Sequence, residues 1–99
     1  MVRKKEKFSR YDVVDYLKTE EDIAAYLEAC MEEAGDDAAY IAAALGDVAR
    51  ARGMAQLAKD TGISREGLYK ALSPDGNPSL ATVLKVLKAL GLKLAPKVA

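Results

Sequence analysis

Residues 53–72 decide the fold, and they read GMAQLAKDTGISREGLYKAL. Two stretches of about two helical turns each flank a three-residue turn at residues 62–64. Gly62 can adopt the positive φ that turns a chain sharply, and Ser64 can cap the helix that follows. Two short helices joined by such a turn make a helix-turn-helix, so the spacing predicts this motif at residues 54–72.

The second helix of this motif carries residue types that suit DNA. In a helix-turn-helix, the exposed N-terminal face of the second helix enters the major groove. Arg65 can donate to guanine, and Glu66 can accept from cytosine. Gly67 has two interpretations, a close approach of backbone to DNA or tight packing against the neighbouring helix. The candidate DNA-binding residues are Ser64, Arg65, Glu66, Gly67, Tyr69 and Lys70. The alternative for the charged residues among them is an ordinary solvated helix face.

Apolar periodicity predicts three more helices, and hence an all-α fold of five helices in one domain over residues 11–99. The first begins after Thr19, with three acids in its first turn, and ends at Gly35. The second covers roughly residues 38–52, and the last begins near Ser79. The expected apolar stripe of the last helix consists of Leu80, Val83, Leu84, Leu87 and Leu90. The alternation of apolar and polar residues over 92–94 predicts a short C-terminal strand.

The length and composition exclude several classes of protein. Ninety-nine residues fit one domain, and 51% hydrophobic with 30% charged residues are typical of a globular chain. The chain has no His, so it lacks Ser-His and Cys-His pairs and imidazole metal ligands. Its one cysteine, Cys30, lies on an apolar stripe and is expected to pack rather than react. We therefore expect no enzyme activity, no cofactor and no metal.

The net charge of zero hides a segregation of charges along the chain. Residues 1–10 hold five basic residues and one acidic, a net charge of +4, and are expected to form a flexible basic arm. Residues 11–47 hold eleven acidic residues and one basic, a net charge of −10. Residues 48–99 hold nine basic residues and three acidic, a net charge of +6. Opposite charges on neighbouring stretches predict two partners of opposite sign, or else plain solvated faces.

No targeting or membrane segment is predicted. The basic start is not followed by the apolar run of a signal peptide. No stretch approaches the roughly 20 apolar residues that a membrane span needs. The expected location is the cytoplasm, without contact with a membrane.

The chain resembles the addiction-module antidote family, that is, HigA-like antitoxins with a Cro/C1-type helix-turn-helix. The resemblance is carried by ALGDVARARGM at residues 44–54 and GISREGLYKALS at residues 62–73. It continues in DGNP at residues 75–78 and LKVLKALGL at residues 84–92. The basic arm is the part that the resemblance covers least.

The resemblance implies a lambda-repressor-like fold and a set of partners. The chain would neutralise a small basic toxin of the RelE/ParE type that is encoded beside it. It would bind its own palindromic operator in the major groove as a homodimer, repress the gene pair, and not be an enzyme. An autonomous repressor without a toxin is the alternative, and a helical module that binds only protein is a third.

The acidic first helix suits a basic toxin, because opposite charges attract and speed encounter. The candidate toxin-binding residues are Glu20, Glu21, Glu28 and Glu32. The alternative is that these acids only make the outer face of a core helix soluble. Tyr40, Leu92 and Leu94 are candidates for dimer contacts, because apolar groups near chain ends often need a partner.

Overall fold

The computed structural model describes residues 15–98, and five helices lie entirely within this range. They are α1 (Glu20–Ala34), α2 (Ala38–Arg52), α3 (Met54–Thr61), α4 (Arg65–Ala71) and α5 (Leu80–Ala89). The predicted all-α class with five helices is confirmed. The predicted basic arm at residues 1–10 lies outside the described residues.

Polar side chains cap the starts of four of these five helices, and only α3, which follows Gly53, has no side-chain cap. The Thr19 hydroxyl accepts from the Asp22 N–H at 3.0 Å, and the Asp22 carboxylate accepts from the Thr19 N–H at 3.2 Å. This reciprocal pair is a capping box. Asp37 and Ser79 each accept at 3.1 Å from the N–H of the third residue of α2 and α5. Each cap satisfies a helix donor that would otherwise lack a partner in the chain.

The core forms where α3 meets its neighbours. Helix α3 contacts α2, α4 and α5, while α1 packs against α2. The largest side chains that are fully buried come from four helices and the residue that follows α5: Leu45, Val48, Leu57, Leu68, Val86 and Leu90. Helix α3 has only eight residues. Its central position therefore depends on the apolar side chains of the longer helices that pack against it.

The apolar stripe predicted for α5 is wrong in part. Leu80 and Leu84 are 64% and 45% exposed, whereas Val86 is fully buried and Leu87 nearly so. Helix α5 is apolar on more than one side, and periodicity alone does not say which side meets the core. The contact with α3 selects the side of Val86 and Leu90 and leaves Leu80 and Leu84 exposed.

The predicted C-terminal strand is also wrong, since residues 92–98 have no regular secondary structure. Helix α5 closes through hydrogen bonds from the Gly91 N–H to the Lys88 carbonyl at 3.0 Å and from the Leu92 N–H to the Leu87 carbonyl at 2.9 Å. Gly91 adopts the left-handed conformation, with φ of 82°. Within residues 15–98 no strand is available to pair with this segment, and a strand needs a ladder partner.

Candidate nucleic-acid interface

The turn between α3 and α4 is held by backbone and side-chain hydrogen bonds. Gly62 has φ of 77° and donates its N–H to the Ala58 carbonyl at 2.9 Å. The Thr61 hydroxyl donates to the Leu57 carbonyl at 2.8 Å and accepts from the Ile63 N–H at 3.2 Å. Gly62 was predicted as the turning residue, whereas the role of Thr61 was not. A threonine that ends a helix just before a glycine is the signal that could have indicated it.

Buried leucines orient α4. Leu68 is fully buried and Leu72 is 3% exposed, so one side of this short helix faces the core. Gly46 lets the backbone of α2 pass close to the end of α4, because a Cβ at this position would collide with the Leu72 carbonyl oxygen. Contacts from two directions therefore set which face of α4 points outward.

The outward face of α4 brings together the charged and aromatic residues predicted to contact DNA. Arg65, Glu66, Tyr69 and Lys70 are all exposed. Arg65 and Tyr69 are four residues apart, as are Glu66 and Lys70, so they form two adjoining rows on one helix face. Neither Arg65 nor Lys70 makes an ion pair with another residue in the described range 15–98. Two positive charges, a carboxylate and a phenol thus lie side by side and open to solvent.

Ser64 and Gly67 serve the geometry of the turn. The Ser64 hydroxyl accepts from the Gly67 N–H at 3.0 Å and caps α4. A Cβ on Gly67 would lie 3.1 Å from Ser64 Oγ and 3.2 Å from Ile63 Cγ2, which is tighter than ordinary contact. Local packing is therefore sufficient to explain a glycine here. Ser64 stays exposed, so its hydroxyl can still donate to a phosphate oxygen.

The predicted toxin-binding acids separate into two groups on α1. Glu21, Glu28 and Glu32 are spaced by seven and four residues, which puts them in one exposed row along the helix. We call these three residues the acidic row. Glu20 lies to one side, where its carboxylate is close to the backbone of Gly91. Within the acidic row, Glu28 forms an ion pair with Lys97 Nζ at 3.2 Å.

A polar cluster between α1 and α2 was not predicted from the sequence. Asp47 is 7% exposed, and its carboxylate accepts from the Tyr26 hydroxyl at 3.0 Å and from Arg50 Nη2 at 2.6 Å. Burial, followed by the negative charge of Asp47, raises the pKa of Tyr26. Arg50 offsets the cost of burying a carboxylate, because a buried charge without a partner is strongly destabilising. The pair is three residues apart in an alanine-rich helix, and that spacing is the signal that could have revealed it.

The chain matches a family model and a relative from Haemophilus influenzae. A family model described as "Probable addiction module antidote protein" matches residues 7–98. The chain belongs to this family. An uncharacterised protein of Haemophilus influenzae is 54% identical over 88 residues, which are 89% of each chain. No solved structure matches the chain significantly. An antidote acts on a toxin, so membership of the antidote family implies a toxin partner.

Residues 15–98 contain neither a cluster of three metal-ligating side chains nor a helix that could cross a membrane. Among residues 15–98, no group of three or more Cys, Asp and Glu side chains is placed to hold a metal ion. None of the helices in that range combines the length and apolar character that crossing a bilayer requires. Cys30 is buried, and burial raises the pKa of its thiol. Its surroundings are those of a packing residue.

The three candidate dimer residues of the antidote chain have different surroundings. Leu92 is half-buried and packs against the core of its own chain. Tyr40 is also partly buried, and its hydroxyl donates to Glu33 Oε1 at 3.1 Å. Leu94 is 50% exposed. Leu80 and Leu84 of α5 are also exposed, at 64% and 45%, although they were expected in the core.

Tyr26→Phe is expected to reduce the stability of the chain at neutral pH. It is also expected to make the decrease in stability at alkaline pH less steep. Loss of the hydrogen bond to Asp47 should cost roughly 1–3 kcal/mol. The pKa of Tyr26 is raised in the folded chain above its ordinary value of 10.0. Its contribution is therefore complete below pH 10 and is lost as the pH rises through the folded pKa.

Urea unfolding between pH 7 and pH 11 measures both effects of this substitution. Tyr69→Phe, at an exposed tyrosine outside the cluster, is the matched control. Equal alkaline slopes for Tyr26→Phe and the wild type would show that the Tyr26 hydroxyl is not coupled to Asp47.

Proposed function

We propose that the chain is the antitoxin of a type II toxin–antitoxin module. It neutralises a toxin of the RelE/ParE type by direct binding, and it represses its own operon through a HigA-like helix-turn-helix at residues 54–72. Membership of the antidote family over residues 7–98 supports the antitoxin role. The observation that carries the DNA-binding role is the outward face of α4. We place this activity in the cytoplasm, where operator DNA lies, and assign it to a homodimer on a palindromic site.

The chemistry of the α4 face supports recognition of a DNA groove. Arg65 can donate two parallel hydrogen bonds to guanine O6 and N7, and Glu66 can accept from cytosine N4. Tyr69 and Lys70 lie one turn further along, where phosphate contacts fix the register of a helix on the duplex. All four side chains are exposed, so they can reach a groove without rearrangement of the core.

The electrostatics of α1 support a basic protein partner. The acidic row lies on an exposed helix face within the stretch of net charge −10. Toxins of this type are basic, as the family resemblance implies, because they act on RNA or nucleic-acid machinery. Complementary charge accelerates encounter and suppresses wrong partners. The same negative potential repels DNA, which leaves nucleic-acid binding to the half of the chain with net charge +6.

The DNA-binding role is tested by titrating the purified chain against the DNA upstream of its own gene. We expect an affinity that falls steeply as salt rises from about 50 to 200 mM, because each phosphate contact releases counterions. Scrambled DNA of equal length is the control for sequence preference. The absence of any salt-dependent binding would contradict both this proposal and the autonomous-repressor alternative.

Charge reversal on α1 is expected to weaken toxin binding. Glu21→Lys with Glu32→Lys changes the acidic row without touching the core, since both side chains are exposed. We expect slower association with the protein encoded by the neighbouring reading frame and a smaller dependence of the association rate on salt. Asp60→Lys with Asp75→Lys is the matched control, because both are exposed acids outside α1 and the change in net charge is the same.

Two results of these binding experiments would contradict the proposed toxin-binding role. Equal association rates for the acidic-row variant and the control with Asp60→Lys and Asp75→Lys would show that the acidic row does not face the toxin. If the chain binds promoter DNA but the neighbouring gene product never co-purifies with it, the chain is an autonomous repressor.

A further inference from the structure

The segment that follows α5 runs back along α1. It leaves α5 at Gly91, which lies close to the side chain of Glu20 in the first turn of α1. A Cβ added to Gly91 would be 3.0 Å from Glu20 Cδ. It reaches Glu28, two turns further along α1, through Lys97. Eight helical residues span about 12 Å, and six residues of extended chain span up to roughly 20 Å. The segment is therefore long enough to span this length of α1 with slack. We call residues 92–98 the tail strap.

The tail strap is anchored at its start and only loosely held beyond. Leu92 packs against the core, whereas residues 93–98 are all exposed. The side chains of Lys97 and Glu28 are 73% and 59% exposed, so their ion pair is solvated. Solvated pairs of this kind favour the closed arrangement by a population ratio of only about two to five. The strap can therefore open without unfolding the domain.

We propose that the tail strap is an autoinhibitory segment that occupies part of the acidic row until the toxin displaces it. The inference rests on the proposed function, in which the acidic row binds a basic toxin. Lys97 forms the ion pair with Glu28 that a lysine or arginine of the toxin would form in its place. The segment carries two lysines, Lys93 and Lys97, and Lys97 is the one that contacts the acidic row.

The closed arrangement is tested in the free chain by NMR. Lys97→Gln removes the positive charge but keeps a side chain of similar length. Lys93→Gln makes the same charge change four residues earlier, where no ion pair forms with a residue in the range 15–98. We expect Lys97→Gln to shift the amide signals around Glu28 and to increase the motion of residues 94–98, and Lys93→Gln to do neither. Identical spectra around Glu28 in the wild type and Lys97→Gln would overturn the strap.

The inhibitory role is tested by binding of the purified protein encoded by the neighbouring reading frame. We expect Lys97→Gln to bind it roughly two- to fivefold more tightly than the wild type, because the competing contact is gone. Lys93→Gln should bind as the wild type does, which excludes a general effect of net charge. Equal affinities of the wild type and Lys97→Gln would overturn the autoinhibition. Lack of binding in all three chains would instead overturn the proposed function and the inhibitory role with it, while the NMR comparison would still decide whether the strap closes.

Discussion

Replacing Arg65 by alanine is expected to weaken binding to promoter DNA by roughly five- to 150-fold. A bidentate arginine–guanine contact provides about 1–3 kcal/mol of discrimination, and each 1.4 kcal/mol is about a factor of ten in affinity. Arg65 is exposed and makes no ion pair within residues 15–98, so its removal should leave the fold intact. Fluorescence anisotropy with labelled promoter DNA, at several salt concentrations, measures the loss.

Sequence preference and salt dependence together distinguish recognition of the bases from general attraction to the phosphates. Arg65→Ala should lose most of its preference for promoter over scrambled DNA, whereas Lys70→Ala should weaken binding to both and reduce the salt slope by about one. Lys18→Ala is the matched control, since Lys18 is an exposed lysine that precedes α1 and lies outside residues 54–72. If Arg65→Ala retains the wild-type preference for promoter DNA, α4 does not read the bases.

Replacing Leu68 by alanine is expected to have the largest effect on stability. The side chain is fully buried, and a buried Leu→Ala change costs about 2–5 kcal/mol through lost burial and the cavity that remains. Domains of this size have a total stability of about 5–15 kcal/mol, and 1 kcal/mol lowers Tm by roughly 4–8 °C. We therefore expect a decrease in Tm of tens of degrees. Thermal unfolding followed by circular dichroism measures it.

Leu80→Ala provides the matched control for this substitution. It is the same chemical change in a helix, but Leu80 is 64% exposed, so we expect a change within about 0.5 kcal/mol. A loss as large as that of Leu68→Ala would contradict the orientation of α5. A loss that grows with protein concentration would indicate that a second copy of the chain covers Leu80.

Most of the helical architecture was predictable because its signals are local. Thr19, Asp37 and Ser79 act as helix caps, and each side chain bonds only three residues ahead. Gly62 and Gly91 end helices in the left-handed conformation, which other residues rarely adopt. Such features need no information from distant parts of the chain. The errors occurred where several arrangements satisfy the same local pattern, as in the choice between Leu84 and Val86 for the buried side of α5.

The candidate DNA-binding face was predictable for the same reason. Residue spacing on a seven-residue helix determines that Arg65, Tyr69 and Lys70 share a face once Leu68 is assigned to the core. The acidic row on α1 follows equally from spacing. What spacing did not reveal is that Glu28 already has a partner, Lys97, which lies 69 residues away along the chain.

The sequence by itself therefore determined the helices, most of their ends and the residues that share a face of α1 or α4. These properties depend on interactions within about four residues, which the order of side chains specifies directly. Only the tertiary structure decided which side of α5 is buried, how Asp47 is paired between α1 and α2, and where residues 92–98 run. Those features depend on contacts between segments far apart along the chain, such as Tyr26 with Asp47, and such contacts are selected by packing of the whole domain.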